Sequence, residues 1–119
     1  MSSKTLVRQA TLDRFGDAAE NIKSLHLRNL PPFTTLIVRT RNSWYRVVIT
    51  DWPKVFVQGG AFFRDPTPAY LDGANIGGSL REGWIGVDRA VEFRTRDRLI
   101  ITTPVSAITT EQPPDSVVH

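Results

Sequence analysis

Cysteine is missing from all 119 residues, which excludes disulfide frameworks, thiolate nucleophiles and thiolate zinc sites and fits a reducing compartment. Histidine is almost as scarce. His26 and His119 are the only two; neither presents itself as a base for Ser43 or Ser79, and no His-x-x-x-His spacing offers a metal site. No apolar run approaches the roughly 18 residues that cross a bilayer, and no apolar run with a small-residue cleavage site follows Lys4 and Arg8. The expectation is a cytoplasmic protein without membrane contact. Lysine is also rare, with Lys4, Lys23 and Lys54 set against twelve arginines in a net charge of +3. Arginine suits bidentate pairing with carboxylate or phosphate and stacking on aromatic rings; a GC-rich coding sequence produces the same bias without any function. Asp65, Asp72, Asp88 and Glu92 hold oxygen donors for a hard cation, and Glu82 with Glu92 make a carboxylate pair on paper. Nothing in their spacing gathers them, so no catalytic residue, metal site or cofactor is expected and a binding role is favoured over an enzyme.

What is present organises as one domain. Residues 1–10 are polar and aperiodic and residues 111–119 contain Pro113-Pro114, so both are expected to be flexible around a single domain over residues 11–110. Leu12, Phe15, Ala19, Ile22 and Leu25 fall at helical intervals, and Asp17 followed by Glu20 matches a capping box, which predicts one short N-terminal helix ended by Pro31-Pro32. From Leu36 the pattern is β. Strands are expected over residues 36–41, 44–49, 54–58, 84–87, 90–94 and 98–103, with Asp51-Trp52-Pro53 and Arg96-Asp97 as turns and Pro104 setting off residues 105–108. Residues 61–82, with Asp65-Pro66-Thr67-Pro68 and Gly77-Gly78, are too broken for a regular element and read as a long loop. Five or six short antiparallel strands hide their edges most cheaply by closing, so the predicted fold is mainly β: a small SH3-like or OB-like barrel with the helix over one opening. Trp52 and Trp84, beside turns, suit its ends.

One hairpin carries the strongest lead. A two-residue loop at Asn42-Ser43 pairs Arg41 with Trp44, Thr40 with Tyr45, Arg39 with Arg46 and Val38 with Val47. Alternation then puts Leu36, Val38, Thr40, Tyr45, Val47 and Ile49 on a core face, and Arg39, Arg41, Trp44 and Arg46 on the other. In that register Arg39 and Arg46 stand directly opposite, an arrangement that asks for an anion between them. Arginines beside an indole are the combination that contacts phosphates and stacks bases, so the implied partner is an anionic ligand, nucleotide or nucleic acid. Two other readings stay open. Asp51, Asp88 or Glu92 neutralises the arginines within the chain, or the face is a contact with a protein partner or a second copy, since Arg and Trp concentrate at such contacts.

The second candidate is the glycine-rich run holding Asp72, Gly73, Gly77 and Gly78, where small residues let backbone amides approach an anion or serve a small hydrolase. Asp72-x-Ala74-x-x-Gly77 resembles the second motif of PilZ-type cyclic-dinucleotide receptors. Their first motif, two arginines separated by three residues, has no counterpart ahead of it, because Arg41 and Arg46 are separated by four. The glycines equally suit a plain turn. Across residues 34–108, the runs Arg39-Thr-Arg-Asn-Ser-Trp-Tyr-Arg46, Val57-Gln-Gly-Gly-Ala-Phe-Phe63 and Gly83-Trp-Ile-Gly-Val87, with Val91-Glu-Phe93 and Thr102-Thr-Pro-Val105, resemble an uncharacterised family of small bacterial β-rich single-domain proteins. That resemblance implies a free-standing domain and no activity.

Overall fold

The computed structural model describes residues 22–111. Among them ten strands form: β1 (Ser24–His26), β2 (Thr34–Thr40), β3 (Trp44–Asp51), β4 (Lys54–Gly59), β5 (Phe63–Ile76), β6 (Ser79–Glu82), β7 (Trp84–Gly86), β8 (Ala90–Arg94), β9 (Leu99–Ile101) and β10 (Val105–Glu111). Eight of them build one antiparallel sheet in the order β9-β8-β5-β4-β3-β2-β10, with β6 paired to β5, while β1 and β7 make a two-stranded ribbon. The molecule is mainly β, with more strands than the expected five or six.

Period-two alternation is what sorts the side chains. Leu36 and Val38 on β2, Tyr45, Val47 and Ile49 on β3, and Val55 and Val57 on β4 all point inward and are buried. Leu71, Phe93 and Ile108 join them from β5, β8 and β10 in one continuous core. Its aromatic centre is Phe93, whose ring lies 5.6 Å from Phe63 edge to face and 5.7 Å from Tyr45, separations at which aromatic pairs gain beyond simple burial. Trp52 packs against this core and its indole N–H donates to the Leu71 carbonyl at 2.8 Å. Trp84 is half-buried at the ribbon.

Two expectations are corrected. The predicted helix falls largely on residues 12–21, outside the described residues, but its last part is extended: Ser24, Leu25 and His26 pair antiparallel with Gly86, Ile85 and Trp84. Leu27 is buried beside this strand, and its N–H donates to the Gly83 carbonyl at 2.9 Å. Partners on β7 and at Gly83 just before it thus satisfy backbone groups that a helix would have satisfied internally. The predicted loop over residues 61–82 is instead the longest strand and a hairpin. β5 runs through Pro66 and Pro68, because residues 63–69 have a ladder only toward β4, and β8 joins at Tyr70. A proline is tolerated where its missing N–H faces no partner.

Further backbone hydrogen bonds tie β10 to the turn ahead of β8 and to Ile22, and extend the ribbon. Val105 donates to the Arg89 carbonyl, Asp88 donates to the Val105 carbonyl, Ile22 donates to the Ile108 carbonyl and Val87 donates to the Lys23 carbonyl, all at 2.8 or 2.9 Å. β10 also continues through Glu111, one residue into the segment expected to be a flexible tail.

Candidate functional site

The hairpin forms at the expected place with a different register. Its turn is Arg41-Asn42, closed by the Thr40 N–H donating to the Ser43 carbonyl at 2.8 Å. The Thr40 hydroxyl reinforces the closure, donating to the Ser43 carbonyl and accepting the Ser43 N–H, both at 3.2 Å. The ladder therefore pairs Arg39 with Trp44, Val38 with Tyr45 and Ile37 with Arg46. A shift of two positions keeps every side chain on its face. The core face is as expected, and Arg39, Trp44 and Arg46 do share the other.

What changes is who faces whom. Arg39 and Arg46 are not opposite one another, so no like-charge pair needs an anion between them. Arg46 instead holds Glu111, with Nε donating to Oε1 at 2.9 Å and both side chains 42% exposed. The carboxylate comes from the end of β10, one strand beyond β2, rather than from Asp51, Asp88 or Glu92. Asp88, in a left-handed conformation with φ of 72°, lies near Arg41 instead. Glu92 is buried and accepts a hydrogen bond from the Asn75 amide at 3.1 Å.

Arg39 and Trp44 are the pair left facing solvent. They follow the bonded Thr40 and Ser43 pair and so form a non-hydrogen-bonded pair, the kind with the closer side chains. Trp44 is 51% exposed. Among the described residues neither Arg39 nor Arg41 makes an ion pair. Arg41, displaced into the turn, borders a hollow of about 340 Å³ shared with Asn42, Asp88, Thr103 and Ser106.

The remaining candidates are separated. Asp72 and Gly73 lie inside β5, while Gly77 and Gly78 make the turn into β6, where the Asn75 side-chain oxygen accepts the Gly78 N–H at 3.0 Å. The Asp72 carboxylate is committed to Arg94, taking Nε at 2.9 Å and Nη2 at 3.1 Å; this contact outweighs the opposing effect of burial and raises the Arg94 guanidinium above its ordinary value. A side chain at Gly73 would run into the Arg81 carbonyl, so that glycine admits a neighbouring strand rather than a ligand.

The arginine excess has a partial structural answer that no linear pattern announced. Arg28 lies 4.5 Å from the Trp52 ring centre, Arg81 lies 4.3 Å from Trp84, Arg94 lies 4.4 Å from Tyr70 and Arg98 lies 5.7 Å from Phe62. A planar guanidinium stacks on an aromatic face in a way an ammonium does not. Among the described residues no group of three or more His, Asp or Glu side chains gathers as a metal site, and no helix is long and apolar enough to cross a membrane. Comparison with protein-family models, with curated proteins and with solved structures finds no match.

Proposed function

We propose that the protein is a non-enzymatic binding module for an anionic chain, a single-stranded nucleic acid, contacted by Arg39, Arg41 and Trp44 with Arg46 beside them. The observation that carries the reading is the half-exposed indole of Trp44 directly across the ladder from Arg39, an arginine without a carboxylate partner among the described residues. A base stacked on such an indole contributes about 1–3 kcal/mol, and each arginine contributes a phosphate contact without regard to sequence. Supporting the scaffold as an SH3-like or OB-like barrel are the β2 to β5 meander, the return of β10 to β2, and the hydrogen bonds that join Val105 of β10 to Asp88 and Arg89 just ahead of β8. In such a barrel the outer face of β2, β3 and β4 would be the free surface.

A second reading uses the same face as a subunit contact. It is favoured by Phe56, 44% exposed and paired with Val48 on the same side as Trp44, because exposed aromatics beside arginine are typical of contact centres.

Fluorescence anisotropy of labelled single-stranded DNA and RNA, together with sedimentation of the protein, separates the two. Nucleic-acid binding predicts a shift at about 50 mM salt that weakens steeply by about 200 mM. Arg39→Ala should reduce it for every sequence, and Trp44→Ala should cost about five- to 150-fold. No shift with any oligonucleotide at low salt, joined to a stable oligomer that Trp44→Glu turns into monomer, would replace this reading with assembly.

A further inference from the structure

A second site lies further along the outer face. There the register sets Phe56 opposite Pro68 and Lys54 opposite Tyr70. Thr95 and Arg96, from the turn between β8 and β9, and Thr50 from β3 complete a groove of about 430 Å³, within the span of small-molecule sites.

Its walls are aromatic and partly fixed in advance. Phe56 is 44% exposed. Tyr70 lies under the guanidinium of Arg94, 4.4 Å from its ring centre, and that guanidinium is clamped by two hydrogen bonds to Asp72. The Thr50 hydroxyl donates to the Lys54 carbonyl at 3.0 Å, tying down the irregular end of the β3 and β4 ladder. Two cations border this surface. Lys54 and Arg96 are exposed, and neither makes an ion pair among the described residues. The nearest carboxylates by placement are Asp51, Lys54's neighbour in the ladder, and Asp97, which stands beside Thr95; neither reaches ion-pair distance.

We infer that this groove binds an aromatic phosphate monoester of mononucleotide size. The flat ring is taken by Phe56 and Tyr70, and the phosphate by Lys54 and Arg96. A phosphate monoester carries about −1.5 to −2 charges at neutral pH, which matches two unpaired cations better than a single carboxylate does. Arginine offers it a donor fork and lysine a mobile point charge. The site uses none of Arg39, Arg41, Trp44 or Arg46, so it stands or falls separately from the nucleic-acid reading.

Titration of the full chain with AMP, followed by amide chemical shifts and calorimetry, tests it, with adenosine and inorganic phosphate as separate arms. AMP should perturb residues 54–56, 68–70 and 95–96, and bind at least about tenfold more tightly than either fragment. Lys54→Ala and Arg96→Ala, both at exposed positions where the fold is expected to survive, should each weaken AMP at least about fivefold. Arg39→Ala should leave AMP binding unchanged. Three results would overturn the assignment: no binding at about 5 mM AMP, phosphate binding as tightly as AMP, or AMP binding that is lost with Arg39→Ala and kept with Lys54→Ala. The last would place AMP on the arginine face.

Discussion

Replacing Glu111 with glutamine tests whether Arg46 belongs to the binding face or only to the fold. The native pair is short, 2.9 Å from Nε to Oε1, but both side chains are 42% exposed, so solvent screens it. Exposed pairs of this kind contribute about 0.2–1 kcal/mol. Glu111→Gln should therefore lower unfolding stability by less than about 1 kcal/mol, read from urea midpoints. The same carboxylate competes with any anion for Arg46. Its removal should tighten single-stranded oligonucleotide binding by at most about 1.4- to 5-fold, the equivalent of that free energy. Because one further phosphate is then engaged, the slope of log affinity against log salt should steepen by about 0.7. Anisotropy at several salt concentrations reads both quantities. An unchanged slope and unchanged affinity would show that Arg46 does not face the partner. A stability loss well above 1 kcal/mol would show that the screening argument is wrong.

Three further outcomes follow from the core and its turns. Gly60→Ala should cost about 2–3 kcal/mol, because the residue sits at φ of 62° and its new methyl would lie 2.6 Å from the Tyr45 ring, whereas Gly78→Ala, in open space at φ of 92°, should cost only about 1–2 kcal/mol; equal urea midpoints would contradict this. Phe93→Ala removes the ring that joins Phe63 to Tyr45 and should cost about 3–5 kcal/mol, a large part of a small domain's stability, visible as a collapse of the thermal transition. Burial, only partly offset by Ser43, holds the Tyr45 phenol above its ordinary value. The fold thus favours the protonated form, so its contribution is complete below about pH 10 and disappears as pH rises through the raised value. Thermal melts between about pH 8 and 11 should show this loss, and Tyr45→Phe should flatten it.

The hairpin shows how far residue pattern reaches. Alternation placed Val38, Tyr45 and Val47 on the core side and Arg39, Trp44 and Arg46 on the other, since burial enforces a period of two whatever the turn. Register depends on the turn alone, and there the Thr40 hydroxyl bonding to Ser43 outweighs the usual preference for asparagine at the first loop position. Leu25 fits helical spacing equally well, and only its partners on β7, some sixty residues away, make it a strand. Pro66 and Pro68 disguised β5 because a proline's cost depends on whether a neighbour lies on its nitrogen side. Glu111 was hidden for a similar reason: it stands next to a proline-rich tail, and its pairing with Arg46 exists only once β10 lies against β2. The stacked arginines, too, are contacts between elements distant in sequence.

The proline-bearing half of β5 has a further meaning for the protein at high concentration. With Pro66 and Pro68 two residues apart, their nitrogens face one side, and the side without a ladder is the one that tolerates them. A strand from another molecule that docks there finds two backbone positions with no hydrogen to donate, so the sheet cannot be extended by simple addition. The pair that breaks the pattern in the sequence is thus a guard against aggregation, set where the longest strand would otherwise invite it.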